Sequence, residues 1–264
     1  MSPMNNRLLV PTQPPGILDF APGAAAAYSL RNLSRSYAGP VVTVRRDSDD
    51  AEDDFTAAEV AGGTLAAFCG AGDGFVYRWW DQSGNAAHAL AAADTNEPQI
   101  VDAGVVILED GKPTIQFDKV DDYLDASTVA VSQPNTIVSV NTQDTAPSNV
   151  YDGITSRQAL SPNSTFERMF AGTSLTSSEA ISVGEMRMYV AVFNGSSSIL
   201  YRDGVVIASG NAGSNSLDGF RIGTFTPGTA PHGGTISEII IYPSVFDSVT
   251  RQRIEGNIAW SFSQ

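Results

Sequence analysis

The feature of this chain that most constrains its fold is a long succession of short runs rich in β-branched and aromatic residues, separated by turn-forming residues. Such runs are typical of strands in a half-buried sheet. Many short strands with few helices favour a jelly-roll sandwich. We therefore predict an all-β protein with a few short peripheral helices. The predicted strands cover residues 41–46, 74–80, 113–117, 136–140, 187–193, 198–202, 205–209, 220–223 and 235–242.

The sharpest local signal is the dipeptide Asp203-Gly204 between two predicted strands. A two-residue type I′ hairpin turn needs positive φ at both central residues, which Asp and Gly tolerate. Apolar residues at helical spacing predict a helix over 24–37, a helical turn over 64–69 and a C-terminal helix over 248–261 with Asp247 as its N-cap. With no internal repeat after residue 20, we predict one sandwich domain over 21–264.

Residues 1–20 carry four prolines, which favours an extended chain. Five residues of this arm are more apolar than a solvated tail requires. We predict that the arm docks on a neighbouring subunit of a homo-oligomer, and a solvated tail is the alternative. The proposed assembly residues are Leu8, Leu9, Val10, Ile17 and Leu18.

The charge balance argues against a nucleic-acid partner. Lys and Arg number 15 against 29 Asp and Glu, which gives a net charge of −14, whereas duplex binding needs a basic face. The single cysteine, Cys69, excludes an internal disulfide. The N-terminus does not resemble a secretory signal, and no run approaches the roughly 20 apolar residues of a membrane span. We therefore predict a protein made in the cytoplasm, not secreted and not inserted in a membrane.

An acidic run follows the first predicted strand and includes Asp47, Asp49 and Asp50. Hard cations such as calcium bind clustered carboxylates. The run does not match an EF-hand loop, because the sixth position counted from Asp47 is Glu52 instead of glycine. Two interpretations stay open: a calcium site of another kind, or a solvated acidic loop in a protein without a cofactor.

Aromatic and polar residues provide candidates for a saccharide site, because a sugar ring offers one apolar face and a rim of hydroxyls. Trp79 and Trp80 point to opposite sides of their strand. One of them is expected in the core, and the other is a candidate platform. His232 is expected to face solvent. The full set of candidate ligand-binding residues is Tyr77, Trp79, Trp80, Asn194, Asn211 and Asp218.

Several segments resemble known families. ILYRDGVVIASG, FRIG and GGTISEIIIYPSVFDSVTRQRIEGNIAW resemble the C-terminal signature of concanavalin A-like, laminin-G-like jelly rolls, and FDKVDDYL resembles a turn of the same group. AAAAYSLRNLSRSYAGPVVTVRRDSDD and RWWDQSGNAAHA resemble the N-terminal part of the catalytic domain of B-type α-L-arabinofuranosidases. The resemblance is closer to versions of that domain in tailed-phage virion proteins. It implies a concanavalin A-like jelly-roll sandwich.

The same resemblance implies an acid/base aspartate in the loop 224–234 and a glutamate nucleophile in the middle of the chain. The loop contains no Asp or Glu, and Glu167, Glu179 and Glu185 lack the local pattern of the family. We therefore predict no catalytic residues and a non-enzymatic virion protein of the tail, fibre or capsid decoration. It would attach to other virion proteins through its arm and bind host-surface glycans. The alternative is an arabinofuranosidase-like glycoside hydrolase acting on a surface polysaccharide.

Overall fold

A computed structural model describes residues 15–163, 165–225 and 229–262. Leu8, Leu9 and Val10 lie outside the described residues. Strands β1 to β21 are, in order, Ala26–Ser29, Val42–Arg46, Glu52–Phe55, Gly74–Trp79, Ala89–Leu90, Gln99–Asp102, Val105–Val106, Leu108–Glu109, Lys112–Pro113, Ile115–Asp118, Leu124–Val131, Asn135–Asn141, Tyr151–Asp152, Ala159–Leu160, Phe166–Phe170, Ser174–Ala180, Arg187–Phe193, Ser198–Arg202, Val205–Gly210, Leu217–Ile222 and Gly233–Tyr242. Helices α1 to α4 are Ile17–Phe20, Ala57–Ala61, Thr64–Cys69 and Ser248–Phe262, with 3₁₀ turns at Asp94–Asn96 and Gly195–Ser197.

Nineteen of these strands form one antiparallel sheet that curls into two layers, while β8 and β9 pair separately. One layer runs β19–β18–β17–β12–β21, with β1 beside β21. Strands β10 and β6 connect β21 of this layer to β4 of the second layer. The second layer contains β3, β2, β4, β5, β11, β20, β13, β14, β15 and β16. Because β16 returns beside β19, the sandwich is nearly closed, and the all-β jelly-roll prediction is confirmed.

The main hydrophobic core lies between the two layers and includes the fully buried Trp79 and Phe220. A second apolar cluster lies on the outer side of β12, β17 and β21, where Ile17 of α1 and Ile254 and Ile258 of α4 pack. All residues of β12 and β21 are therefore buried. No helix in the described part of the chain is long and apolar enough to cross a membrane.

Local sequence signals gave the correct structure at several positions. Asp203 and Gly204 have φ of 51° and 80° and form the hairpin between β18 and β19. Helix α4 begins at Ser248 as expected, and Asp247 Oδ1 accepts a hydrogen bond from the Thr250 amide at 2.7 Å. The 64–69 helical turn is also present as α3.

The predicted helix over 24–37 is wrong. Its first part forms β1, which pairs with β21. The Ala27 amide donates to Asp81 Oδ1 at 2.8 Å, and the buried Tyr28 ring packs against Trp79 with centroids 5.8 Å apart. Sheet pairing and burial against distant residues outweigh the helical spacing.

The end of the predicted extended arm also differs in the structure. Residues 17–20 form the short helix α1, and the Leu18 amide donates to the Leu33 carbonyl at 2.9 Å. Ile17 is fully buried in the second cluster, and Leu18 packs partly against it. Ile17 and Leu18 therefore contact their own domain, because α1 covers apolar surface beside α4.

Candidate functional site

A row of mostly polar side chains crosses the second layer on the side that faces away from the main core. Cross-strand partners lie on the same face of a sheet, and the strand registers connect every member of the row to the next. Each member also lies next to a core residue on its own strand, so its side chain points to the opposite face of the sheet. Asp125, for example, lies between the core residues Leu124 and Ala126. We call this row the polar face. Its members are Asp54, Thr43, Arg78, Leu90, Asp125, Arg221 and Asp152.

Asp125 and Arg221 form a bidentate ion pair in the middle of the polar face. The Arg221 Nε and Nη2 atoms donate to the two Asp125 carboxylate oxygens at 2.7 and 2.6 Å. These hydrogen bonds raise the pKa of Arg221, and its guanidinium lies 4.8 Å from the centroid of the Tyr123 ring. About a quarter of the Asp125 side chain, 26%, stays exposed. The pair therefore presents a fixed carboxylate to solvent.

Asp152, on the other side of Arg221, has a different environment. Its carboxyl is fully buried, and burial raises its pKa although hydrogen bonds from Arg157 oppose the shift. Arg157 donates to Oδ2 from Nε and Nη2 at 2.9 and 2.7 Å, and the Gly153 amide donates to Oδ1 at 2.8 Å. The Arg157 guanidinium lies 3.6 Å from the centroid of the Phe225 ring. Arg157 thus covers Asp152, and Phe225 packs against Arg157.

The two aspartates sit on strands separated only by β20, which places their Cα atoms roughly 9.5 Å apart at the usual strand spacing. One carboxyl is buried with a raised pKa, and the other is a partly exposed carboxylate held by an arginine. Two carboxyl groups in unlike environments can divide acid and base roles between them. The polar face therefore places a buried carboxyl group with a raised pKa near a partly exposed carboxylate, one on each side of Arg221.

The aromatic candidates lie near the other end of the polar face. Trp80 is half-buried, and its Nε1 donates to Thr43 Oγ1 at 2.9 Å. Tyr77 lines a cavity of about 280 Å³ together with Arg78. Trp79 is fully buried in the main core, so it is the tryptophan that packs inside. Trp80 contacts Thr43 and Arg78, two residues that line the cavity.

The polar loop candidates lie elsewhere. Asn194 and Asn211 are exposed, and a hydrogen bond of 3.3 Å from the Ala212 amide to the Gly195 carbonyl joins their two loops. Asp218 is exposed on β20, three residues along the strand from Arg221. The structure therefore brings Asn194 and Asn211 near each other but does not join them to the aromatic residues.

The predicted calcium ligands do not form one cluster. Asp49 accepts hydrogen bonds from Arg46, and Asp50 accepts one from Arg45, while Asp47 is exposed. The pairing with arginine neutralises two of the three carboxylates, which weakens them as ligands for a cation.

A second group of acidic residues lies at the turn between β10 and β11. In the described part of the chain, Asp118, Asp121 and Asp122 have carboxylate oxygens within 4.8 Å of one another. Asp122 Oδ2 accepts from the Asp118 amide at 2.9 Å, and Asp118 Oδ1 accepts from the Val120 amide at 2.7 Å. Burial raises the pKa of Asp122 to about 8. These carboxyl groups stabilise the turn between β10 and β11.

The three glutamates suggested by the family resemblance lie away from the polar face. Glu167 is fully buried in the interior, where Tyr189 Oη donates to it at 2.5 Å and burial raises its pKa. Arg202 lies 3.8 Å from Glu167 and 3.7 Å from Glu179. Glu185 pairs with Arg187 at the surface. Each of these carboxylates has an arginine neighbour.

His232 does not face solvent, contrary to expectation. It is fully buried, its Nδ1 lies 2.6 Å from Ser148 Oγ, and its ring packs edge-on against Phe117. Burial lowers its pKa to about 4. The side chain is enclosed because β21 begins at the next residue and draws it between the layers.

Residues 19–110 match the family model described as the catalytic domain of α-L-arabinofuranosidase B. No curated protein matches the chain by sequence.

Two solved structures are similar in fold. The first is a variant of a GH54 α-L-arabinofuranosidase soaked with 4-nitrophenyl α-L-arabinofuranoside, with a TM-score of 0.71 and 14% identity. The second is an arabinofuranosidase complexed with arabinofuranosyl-α-1,2-xylobiose, with a TM-score of 0.68 and 13% identity. In each case the match covers 89% of this chain and 62% of the other. At these identities the structural likeness concerns the fold.

The match to a catalytic-domain family corrects the functional prediction made from the sequence. The prediction of a non-enzymatic virion protein is wrong, because residues 19–110 match the model of a hydrolase catalytic domain and the whole sandwich has the fold of arabinofuranosidases. The alternative, a glycoside hydrolase, agrees better with these findings.

Sequence reasoning did not identify Asp125, Asp152 or Arg221 as members of a site. Asp125 and Arg221 each alternate with core residues on their strands, which is the signal that they leave the core. That signal gives the side of the sheet but not the partner, because pairing of β11 with β20 and of β20 with β13 joins residues about 70 to 100 positions apart.

Proposed function

We propose that this domain hydrolyses glycosidic bonds of arabinofuranosyl-containing saccharides, with Asp152 as the proton donor and Asp125 as the proton acceptor. The observation that carries the proposal is the placement of two aspartates of unlike environment on either side of Arg221. The match of residues 19–110 to an arabinofuranosidase catalytic-domain model supports the choice of substrate class. Since the chain spans 62% of the similar enzymes, the activity is assigned to this domain alone.

In the proposed reaction, the oxygen of the leaving group takes a proton from the Asp152 carboxyl as the bond to the anomeric carbon breaks. Water adds to the anomeric carbon and gives a proton to Asp125, so one water is consumed for each bond cleaved. Arg221 holds Asp125 through its two hydrogen bonds. The substrate reaches Asp152 when the Arg157 side chain moves aside, because in this structure Arg157 covers Asp152 and is itself packed against Phe225.

The test is release of 4-nitrophenol from 4-nitrophenyl α-L-arabinofuranoside by the wild-type chain and by Asp152→Asn and Asp125→Asn. Removal of a general acid or base costs roughly 10²- to 10⁴-fold in rate. Because 4-nitrophenol leaves readily without a proton, a loss of at least a hundredfold on this substrate is expected for Asp125→Asn alone. Both variants are expected to lose that much in the release of arabinose from arabinofuranosyl-xylobiose, whose sugar leaving group needs the proton. Asp47→Asn, which removes an exposed carboxylate outside the polar face, serves as the matched control and retains full activity.

Circular dichroism and thermal unfolding of each variant distinguish a lost carboxylate from a lost fold. The proposal is overturned if the folded wild-type chain releases no 4-nitrophenol and no arabinose from arabinofuranosyl-xylobiose. It is equally overturned if folded Asp152→Asn releases arabinose from arabinofuranosyl-xylobiose at the wild-type rate.

A further inference from the structure

A cavity lies at the Arg78 end of the polar face, and the residues that line it have no role in the proposed reaction. It has a volume of about 280 Å³ and is lined by Thr43, Glu52, Asp53, Asp54, Tyr77 and Arg78. Binding pockets for small molecules start near this size, so the cavity suits a single sugar ring.

Arg78 differs from most arginines of the chain. Within the described ranges its side chain has no ion pair or hydrogen bond, and the buried Nε atom has no partner. Its guanidinium instead lies 4.8 Å from the centroid of the Trp80 ring and 5.6 Å from that of Tyr77. A guanidinium offers five donors in a fixed plane. Here the donors are held in position by aromatic rings while their acceptors are missing.

The neighbouring groups are also fixed. Thr43 Oγ1 donates to Asp54 Oδ1 at 2.5 Å and accepts from Trp80 Nε1 at 2.9 Å. Trp80 in turn packs edge-on against His88, with centroids 4.5 Å apart. The cavity therefore has a positioned acceptor at Asp54 and a positioned donor at Arg78, and ordering costs little on binding because the side chains are already held.

The charge balance selects the class of ligand. Three carboxylates line the cavity with one guanidinium, so an anion such as a phosphate or a uronic acid is disfavoured by the excess negative charge. Adjacent hydroxyl groups of a neutral sugar can accept from the guanidinium and donate to a carboxylate at once. Aromatic rings at the border suit the C–H face of the ring.

We infer that this cavity is a binding subsite for a neutral saccharide unit. The inference rests on the proposed function for the identity of the sugar, which we take to be arabinofuranose. Arg78 lies four strands from Asp152 along the polar face, a distance of roughly 19 Å at the usual strand spacing. An oligosaccharide of about four to five units spans that distance, so the subsite serves chains of this length and leaves short substrates unaffected.

The test measures binding by isothermal titration calorimetry in the Asp152→Asn background, where the ligand is not consumed. The probes are α-1,5-linked arabinopentaose and arabinobiose. Arg78→Met keeps the side-chain stem and removes the donors, and Asp54→Asn is a second variant on the exposed strand β3. Each is expected to weaken pentasaccharide binding about tenfold or more, the size expected for lost hydrogen bonds to a charged group.

Asp47→Asn has the same charge change as Asp54→Asn, serves as its control, and is expected to bind the pentasaccharide as tightly as the parent. The inference is overturned if Arg78→Met and Asp54→Asn both bind arabinopentaose as tightly as the parent, or if they lose affinity for both probes equally. Hydrolysis by the wild-type chain is measured separately. If the wild-type chain hydrolyses the substrate and Arg78→Met binds the pentasaccharide unchanged, only the subsite is refuted. If Arg78→Met loses pentasaccharide binding but the wild-type chain shows no hydrolysis, only the proposed function is refuted.

Discussion

The buried His232 makes stability depend on pH in a way that can be measured. Its pKa is lowered by burial to about 4 from 6.5, so the folded state stays neutral where the unfolded chain binds a proton. The stabilising effect of the neutral form is complete above pH 6.5 and is lost as pH falls toward 4. At about 1.4 kcal/mol for each pKa unit, the full loss is roughly 3 kcal/mol.

The perturbation that isolates this effect is His232→Gln, which removes the titrating ring. Urea unfolding at pH 7 and pH 4.5 gives the free energy of unfolding of both chains. The wild type is expected to lose about 2 to 3 kcal/mol more than the variant between these two values. The absolute stability of His232→Gln does not matter, because only the change with pH is compared. Equal losses in the two chains would refute the argument that the buried ring resists protonation.

Two further substitutions test other parts of the structure. Burial raises the pKa of Asp122 to about 8 from 3.8, so its contribution to stability is complete below pH 3.8 and is lost as pH rises through 8. Asp122→Asn should therefore flatten the fall in the unfolding temperature between pH 5 and 8. A parallel fall in both chains would contradict this assignment. Asp247→Ala removes the cap that accepts from Thr250 and should lower the free energy of urea unfolding by about 1 kcal/mol, an interpretation that an unchanged unfolding midpoint would exclude.

Local features were predictable from the sequence because few residues determine them. The Asp203-Gly204 hairpin depends on two positive φ values, and strands such as Arg187–Phe193 and Ser198–Arg202 have the residue types that suit a pleated surface. Helix α4 has its own cap at Asp247. These signals were sufficient for the fold class.

Features that depend on distant partners were not predictable. Residues 26–29 form β1 because β21 supplies an antiparallel partner and Asp81 accepts from Ala27. His232 is buried because a loop and a strand from other parts of the chain enclose it. The polar face joins strands whose register no local pattern specifies, so Asp125 and Asp152 could not be paired.

The expectations of virion location, homo-oligomer formation through residues 1–20, host-glycan partners and calcium binding stay predictions. The proposed function changes their context, because a hydrolase can act on a saccharide without attachment of that kind.

The position of a bound substrate tests the central claim most directly. Crystals of Asp152→Asn soaked with 4-nitrophenyl α-L-arabinofuranoside are expected to hold the sugar over Arg221, within hydrogen-bond distance of Asp125 and close to residue 152. A sugar bound only away from the polar face, for example at the loops of Asn194 and Asn211, would contradict the assignment of the polar face as the site of hydrolysis.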